Sequence, residues 1–333
     1  MRTLATTLGL LASIVVVAAS DLPAQMPLRP VHTYSIVARD SATGQLGVAV
    51  QSHWFSVGSV VPWAEPGVGA VATQSFVEVS YGPLGLSLMR GGKSAEQALA
   101  ALIAADPNPA VRQVAMVDAA GQVAVHTGED AIIEACDQAG SSYSVQANLM
   151  LRPTICAAMA RAYETTEGDL AARMMAALEA AQGEGGDIRG KQSAALLVVS
   201  GDEGEPAWGG RVFDLRIEDH AQPVKELRRL LKLARAYNRM NEGDEYMASG
   251  DVEQAVESYA AAEALAPENH EMVFWHAVTL ASSGRVEESL PLFARAFEMW
   301  PDWRILVERL PEAGLLPDDP GLIDRIVAAG KGR

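Results

Sequence analysis

Thr33 is the first candidate for a catalytic nucleophile, because it begins a strand-like segment, Thr33–Arg39. A threonine at a mature N-terminus can act as a nucleophile with its own α-amine as general base, since that amine titrates near pH ~8 and accepts a proton at neutral pH. Such a mechanism requires processing that removes the preceding residues. Threonine also begins many strands simply because it is a good β-former, so the pattern alone leaves both interpretations open.

Polar side chains further along the chain form a second set of candidates. They are Thr73, Gln74, Asn148, Asp187, Arg189, Gln192 and Ser193. Asn148 interrupts an otherwise apolar strand. Its side-chain amide could donate to an oxyanion, or it could equally make its hydrogen bonds within the protein at a turn or at the end of the strand. The glycine-rich loop over residues 185–190 lets Asp187 and Arg189 approach a ligand. Arg189 would then bind a carboxylate bidentately, or the two side chains would form an internal pair that fixes the loop.

Neither a metal nor any other cofactor is predicted. The six histidines are scattered without metal-ligand spacing, and the glycine-rich loop matches neither nucleotide-binding fingerprint. The two cysteines, Cys136 and Cys156, are too few soft ligands for a typical zinc site. They could pair in an oxidising compartment, or Cys156 could simply be buried in a helix, and the sequence leaves this open.

The elements that must position these residues start with a hairpin over Thr33–Ser52. Two alternating segments flank a turn at 40–44, and the second is apolar enough to be covered on both faces. Further strands are predicted at 67–79, 111–117, 122–126, 144–150, 193–199 and 207–217. Helices are predicted at 84–90, after a capping box of Ser94 and Gln97, and over 154–181 with a break near Gly168. This order is typical of an α+β fold with helices on the outer faces of sheets.

The N-terminal residues have the pattern of an export leader. Arg2 precedes an apolar run over 8–19 and a small-residue cleavage site near Ser20, which predicts a signal peptide over 1–20, with an uncleaved anchor as the alternative. Three prolines in 21–32 predict an extended linker or propeptide. We therefore expect a periplasmic or secreted protein. The net charge of −16 argues against nucleic acid or anionic membrane as a partner.

After Gln222 the sequence becomes helical, with a first helix predicted over 224–238, and it then repeats itself every 34 residues. Four pairs carry the repeat: Gly250 with Gly284, Tyr259 with Phe293, Ala262 with Ala296, and Pro267 with Pro301. The period and the residue types are those of tetratricopeptide repeats. We predict an N-terminal domain over 33–222 and an all-α tetratricopeptide-like domain over 223–333. Because about two repeats leave an open face, we expect that face to stack on the first domain or on a second copy, and thus a homo-oligomer.

Several sequence blocks resemble the family known as domain of unknown function 1028. They are T-Y-S-I-V-A-R-D, L-G-V-A-V-Q-S, S-V-G-S-V-V-P-W-A-E-P-G-V-G-A-V-A-T-Q, Y-G-P-L-G-L, R-Q-V-A-M-V-D, Y-S-V-Q-A-N-L-M and G-G-D-I-R-G-K-Q-S-A-A-L-L-V. That family is grouped with the N-terminal-nucleophile (Ntn) hydrolases. The resemblance therefore implies a four-layer αββα sandwich, with Thr33 at the nucleophile position and the strand ending in Gln51 and Ser52 beside it. It implies no known substrate.

The sequence departs from that family pattern in two ways. Relatives look as if they begin Met-Thr, whereas here a leader and a linker precede Thr33, so a second cleavage after His32 is required. A proteasome-like lysine is not evident either, since Lys93 and Lys191 are the only lysines in the predicted domain.

Two functions follow as hypotheses. The first is an exported hydrolase that cleaves a C–N bond in a small amide or peptide, with Thr33 and Asn148 catalytic. Its substrate-binding residues would be Gln51, Ser52, Thr73, Gln74, Asp187, Arg189, Gln192 and Ser193. The second is a catalytically inactive Ntn-fold binding module whose tetratricopeptide tail recruits a protein partner.

Overall fold

The computed structural model describes residues 33–206 and 208–330. The predicted signal peptide over 1–20 and linker over 21–32 lie outside these residues. The strands are β1 (Thr33–Arg39), β2 (Leu46–Ser52), β3 (Pro62–Glu65), β4 (Gly69–Ser75), β5 (Arg112–Asp118), β6 (Val123–Thr127), β7 (Cys136–Gly140), β8 (Tyr143–Ala147), β9 (Ser193–Val199) and β10 (Arg211–Ile217). The helices are α1 (Tyr81–Arg90), α2 (Ala95–Ala105), α3 (Ile155–Thr165), α4 (Leu170–Gly183), α5 (Pro223–Ser249), α6 (Val252–Leu265), α7 (His270–Ser282), α8 (Val286–Met299), α9 (Trp303–Val307) and α10 (Pro320–Ala328).

The strands form two antiparallel sheets. The six-stranded sheet has the order β10-β9-β2-β1-β8-β7, and the four-stranded sheet has the order β3-β4-β5-β6. The predicted hairpin is present as β1 and β2, with Thr33 opposite Ser52 in the register. All seven residues of β2 are buried, which confirms that this strand is covered on both faces. The strand that begins with Thr33 therefore lies in the interior of the larger sheet, between β2 and β8.

An apolar layer joins the two sheets. Val48 and Val50 of the larger sheet pack with Ala72 and Ala115 of the smaller one, and all four side chains are fully buried. Alternate residues of the same strands point the other way, because successive side chains of a strand project to opposite faces. The larger sheet thus has one face toward the smaller sheet and one toward helices.

Helices cover the outer faces. On the larger sheet α3, α4 and the first half of α5 contribute to one core that includes Ile36 and Leu196. On the smaller sheet α1 and α2 pack against Val71 and Met116. Helix α2 begins with the predicted capping box. Ser94 Oγ accepts from the Gln97 backbone amide, and Gln97 Oε1 accepts from the Ser94 backbone amide. The mixed α+β architecture predicted from the sequence is confirmed.

A disulfide between Cys136 and Cys156 connects β7 to α3, with 6.1 Å between the two Cα atoms. The sequence left this pairing open, and the structure establishes it.

Replacing both cysteines by serine is expected to lower the free energy of unfolding by about 3 kcal/mol, because the bond closes a loop of 20 residues and restricts the unfolded chain. Urea unfolding of the oxidised protein and the double variant measures this difference. Reductant should weaken the wild type to the level of the variant and leave the variant unchanged. Equal midpoints for the oxidised wild type and the variant would contradict the expected contribution.

Helix α5 differs from its sequence prediction. A helix over 224–238 was expected, whereas α5 runs for 27 residues from Pro223 to Ser249. At Gly243, inside the helix, the ring of Tyr259 packs so closely that an added Cβ would lie 2.8 Å from its Cε2. The first half of α5 packs on the larger sheet through Leu227 and Leu231, and the second half packs on α6 and α7. A single helix thus belongs to both predicted domains.

Two of the four residue pairs of the 34-residue repeat occupy equivalent structural positions. Gly250 and Gly284 end helices with φ angles of 84° and 83°, a left-handed conformation that glycine adopts without steric cost. Tyr259 and Phe293 fill the cores of the two helical pairs, with exposed fractions of 4% and 0%. The helical C-terminal region predicted from this period is therefore confirmed.

Two strands were not predicted. Strand β3 has four residues and begins with proline, and β7 is an edge strand whose middle three residues are exposed. Neither carries an apolar alternation, which is the signal that a sequence pattern can detect. Across residues 33–206 and 208–330, no helix combines the length and apolarity needed to span a bilayer.

Candidate functional site

Four polar residues form a row across the larger sheet at the end where β1 begins. Thr33 lies opposite Ser52, Ser52 lies opposite Ser193, and the backbone amide of Asn148 donates to the Thr33 carbonyl over 3.1 Å. Neighbouring strands are about 5 Å apart, so the row spans roughly 15 Å. The alternation places the Thr33, Ser52 and Ser193 side chains on the face toward the smaller sheet, and all four residues are fully buried. The fold thus brings together one proposed nucleophile and three of the predicted polar residues.

The smaller sheet supplies a second contact to Thr33. Nε2 of Gln74 lies 3.4 Å from the Thr33 carbonyl oxygen, and Oε1 of Gln74 accepts from the Ser35 hydroxyl at 2.6 Å. The residue after Gln74 and the residue after Asn148 both have positive φ angles, 70° at Ser75 and 55° at Leu149. Such angles are uncommon outside glycine and concentrate at functional sites. The backbone that follows Gln74 and Asn148, the two residues that contact Thr33, is therefore held in a strained conformation.

A buried amide network lies behind the row. Gln113 Oε1 accepts from Gln74 Nε2 at 2.7 Å and from Asn148 Nδ2 at 2.8 Å, and Gln146 Nε2 donates to Ser35 Oγ at 2.6 Å. Gln113 is on β5 and Gln146 is on β8, so the network connects the two sheets. Because buried amides are costly unless they are paired, these bonds fix the positions of Gln74 and Asn148.

Sequence reasoning did not single out Gln113 and Gln146 as site residues. Gln113 occupies a strand position whose alternate neighbours Ala115 and Val117 are buried and apolar, whereas the alternate neighbours of Gln146 are the buried polar residues Ser144 and Asn148. A glutamine in an apolar row is the signal that could have identified Gln113, since long polar side chains are rarely buried without a partner.

Asp187 and Arg189 form the internal pair that was one of the two sequence alternatives. The Asp187 carboxylate accepts from Nε and Nη2 of Arg189 at 3.0 and 2.7 Å, and from the backbone amides of Arg189 and His53. The Asp187 side chain is fully buried, so these bonds compensate its desolvation. The pair fixes the glycine-rich loop next to the end of β2.

Three other predicted residues make local structural bonds. Ser193 donates to the Trp54 carbonyl and accepts from the Val57 amide at 3.1 Å, which holds the loop after β2. The Gln192 backbone bonds to the Ser52 carbonyl and the His220 amide. Thr73 lies on the outer face of β4, where its hydroxyl donates to the Glu78 carbonyl at 3.0 Å. The structure therefore does not bring Thr73 into the row.

Gln51 points to the helical side of the larger sheet, opposite to the row. It pairs with Tyr34 across the strands, and neither atom of its buried amide has a hydrogen-bond partner within the described residues. The Tyr34 hydroxyl donates to Gln182 at 3.2 Å. Burial and, to a smaller extent, the negative charge of Asp187 raise the pKa of Tyr34 well above its usual value, so this hydroxyl stays protonated at neutral pH.

Residues 33–206 and 208–330 contain no cluster of three or more His, Cys, Asp or Glu side chains suited to a metal ion. The side chains of the row itself are three hydroxyls and one amide.

Comparisons with known proteins identify two regions. Residues 33–227 match the model of a family of unknown function, DUF1028, which covers more than half of the chain, and residues 240–302 match a tetratricopeptide repeat. A solved structure of protein SPO2555 from Silicibacter pomeroyi, assigned to the same DUF1028 family model, is 28% identical with a TM-score of 0.54. The similarity covers 61% of this chain and 89% of that one. No curated protein matches.

The family resemblance carried by the sequence blocks is therefore confirmed, and so is the repeat in the tail. The chain belongs to the DUF1028 family of unknown function and carries a tetratricopeptide repeat region after that domain.

Proposed function

We propose that this protein is an exported hydrolase of the Ntn type, in which Thr33 becomes the N-terminal residue and cleaves an amide bond. The observation that carries the proposal is the position of Thr33: first residue of an interior strand, facing the second sheet, in register with Ser52 and bonded to Asn148 and Gln74. We further propose that the two facing sheets with helices outside them make up the αββα sandwich of that superfamily.

The chemical step uses groups that this chain would supply. Thr33 Oγ attacks the carbonyl carbon of the substrate amide while the Thr33 α-amine takes the hydroxyl proton. The C–N bond then breaks, the leaving nitrogen receives that proton, and the acyl group remains as an ester on Oγ. Water hydrolyses the ester and releases a carboxylic acid. Asn148, whose backbone amide donates to the Thr33 carbonyl, would stabilise the developing oxyanion through its side-chain amide.

Export is part of the same proposal. The leader pattern over residues 1–20 supports it, and so does the disulfide between Cys136 and Cys156, because disulfides persist mainly in oxidising compartments.

The N-terminus of the protein recovered from the exported fraction of its native cells is expected to be Thr33. Intact mass and N-terminal sequencing measure it directly. A start near Asp21, at the predicted signal-peptidase site, would leave the amine of Thr33 in a peptide bond and would contradict the proposed mechanism. A Thr33→Ala precursor adds a control: it stays uncleaved after His32 if processing is autocatalytic, and is trimmed normally if another protease performs it.

A second candidate function is a binding module without catalysis. The tetratricopeptide match over residues 240–302 favours it, since such repeats mediate protein–protein interactions. A mature chain that starts upstream of Thr33 would favour this alternative.

A further inference from the structure

The chain has an abrupt change of charge within its helical region. Residues 223–239 contain six Lys or Arg and one Glu, whereas residues 240–330 contain five Arg and 18 Asp or Glu. In a protein of net charge −16, this short segment is the place where positive charge is concentrated.

The six cations lie along one side of α5. They recur at helical spacing, in the order Lys225, Arg228, Arg229, Lys232, Arg235 and Arg239. Positions three, four and seven residues apart share one face of a helix. We call this face the α5 basic face. From Lys225 to Arg235 it extends about 15 Å along the helix axis.

Three recesses follow one another around the α5 basic face. One of about 300 Å³ lies between α4 and the start of α5 and includes Lys191; it shares Lys225 and Arg228 with a second recess of about 660 Å³. The second shares Arg229 and Lys232 with a third of about 420 Å³ that reaches α7. Because neighbouring recesses share lining residues, the three form a row along α5 that begins near Gln182 and ends at the first helices of the repeat region, and we call this row the groove.

The arginines of this face already bind carboxylates of the same chain. Arg228 forms two bonds to Glu179 at 2.8 and 2.7 Å, and Arg235 Nη2 contacts both oxygens of Asp169 at 2.6 and 2.7 Å. The lysines differ: Lys191, Lys225 and Lys232 are exposed, and none forms an ion pair within residues 33–206 and 208–330. The groove therefore combines arginines that already pair with carboxylates and three lysines without an ion pair in the described residues, and Glu179, Glu226 and Glu268 also line it.

We propose that this groove binds an extended acidic peptide of a protein partner, with Lys191, Lys225 and Lys232 pairing with its carboxylates. Lys225 and Lys232 are separated by about 10 Å along the helix, which corresponds to about three residues of extended chain, and the 15 Å face takes about five. A groove of this length favours a peptide over a small anion. The inference does not depend on catalysis by Thr33.

The test is fluorescence anisotropy with a fluorescein-labelled ten-residue peptide of alternating Glu and Ala, titrated with the full-length protein at low salt. The wild type is expected to bind it, and the Lys225→Glu/Lys232→Glu double variant is expected to lose at least tenfold in affinity. Binding should weaken as salt rises, and free glutamate should not compete at concentrations where the peptide does. Absence of peptide binding to the wild type would overturn the proposal.

A matched control distinguishes peptide binding in the groove from attraction of the peptide by the net charge of the protein. The Lys93→Glu/Arg309→Glu variant changes the net charge by the same amount at two exposed positions outside the groove, and it is expected to change the affinity by less than twofold. An equal loss in both double variants would mean that net charge alone decides binding, which contradicts a specific groove.

An alternative occupant of the groove is the acidic region 240–330 of a second copy of the chain, and sedimentation velocity tests for it. If the wild type does not bind the peptide but forms dimers that salt and the lysine variant both abolish, the groove is a self-association surface and the proposal is wrong.

Discussion

Replacing Thr33 by alanine is expected to reduce acylation of the protein by a β-lactone at least about a thousandfold, because removing an enzymatic nucleophile typically costs that much or more. A β-lactone acylates a nucleophilic hydroxyl by ring opening, so it forms an ester without a leaving group and adds its whole mass. Intact-mass spectrometry measures the rate without knowledge of the substrate. Each variant is prepared with residue 33 as its first residue, by cleavage of an N-terminal fusion, so that processing does not enter the comparison.

Two further variants make this result interpretable. Thr33→Ser keeps a hydroxyl on the same strand and is expected to retain labelling, whereas Thr43→Ala removes an exposed threonine at the other end of the β1–β2 hairpin and should leave the rate unchanged. Labelling that persists in Thr33→Ala at the wild-type rate would assign the nucleophile to another residue.

The pH dependence of labelling tests the role of the amine. An N-terminal amine has an unperturbed pKa near ~8 and accepts a proton only when neutral, so the rate should rise as the pH increases through this value. A fusion protein in which His32 still precedes Thr33 should show no such labelling at any pH. A labelled uncleaved fusion would show that the α-amine is not the base.

The sequence was most informative where local signals and burial agree. The hairpin over Thr33–Ser52, the capping box at Ser94 and the 34-residue repeat were all recognised, and each rests on residues close in sequence or on a fixed period. The length of α5 was not recognised, because its second half packs on α6 and α7, and no local pattern reveals those contacts.

The candidate site shows the same limit. The sequence predicts Thr33 as the first residue of a strand and Asn148 as a polar residue in an apolar strand, and the register places them side by side. Thr73 is another polar candidate in a predicted strand, but it faces the other side of that strand, and the sequence does not indicate which face of β4 meets the larger sheet. Gln113 was missed because its role depends on partners from β4, β6, β7 and β8, which only the packing of two sheets brings together.

Replacing Gln113 by leucine is expected to lower the free energy of unfolding by about 3–5 kcal/mol, since the change leaves several buried polar groups without a partner at about 1–3 kcal/mol each. Gln113 Nε2 donates to the Ala147 and Cys136 carbonyls, and its Oε1 accepts from Gln74 and Asn148. Leucine can replace none of these bonds, although its volume is similar. Urea unfolding followed by tryptophan fluorescence measures the loss.

Gln122→Leu is the matched control, because Gln122 lies in the turn between β5 and β6 with an exposed side chain, and the bonds of that turn to Asp118 use its backbone. Its unfolding free energy should change by no more than about 0.5 kcal/mol.

Gln113→Leu should also slow β-lactone labelling at Thr33 under conditions where the variant remains folded, because Gln74 and Asn148, which both bond to the Thr33 carbonyl, lose their shared acceptor. A variant as stable as Gln122→Leu and labelled at the wild-type rate would mean that the amide network neither supports the fold nor positions the site. A variant that is destabilised but labelled normally would confine Gln113 to a structural role, and the positioning of Thr33 would then depend on the pairing of β1 with β2 and β8.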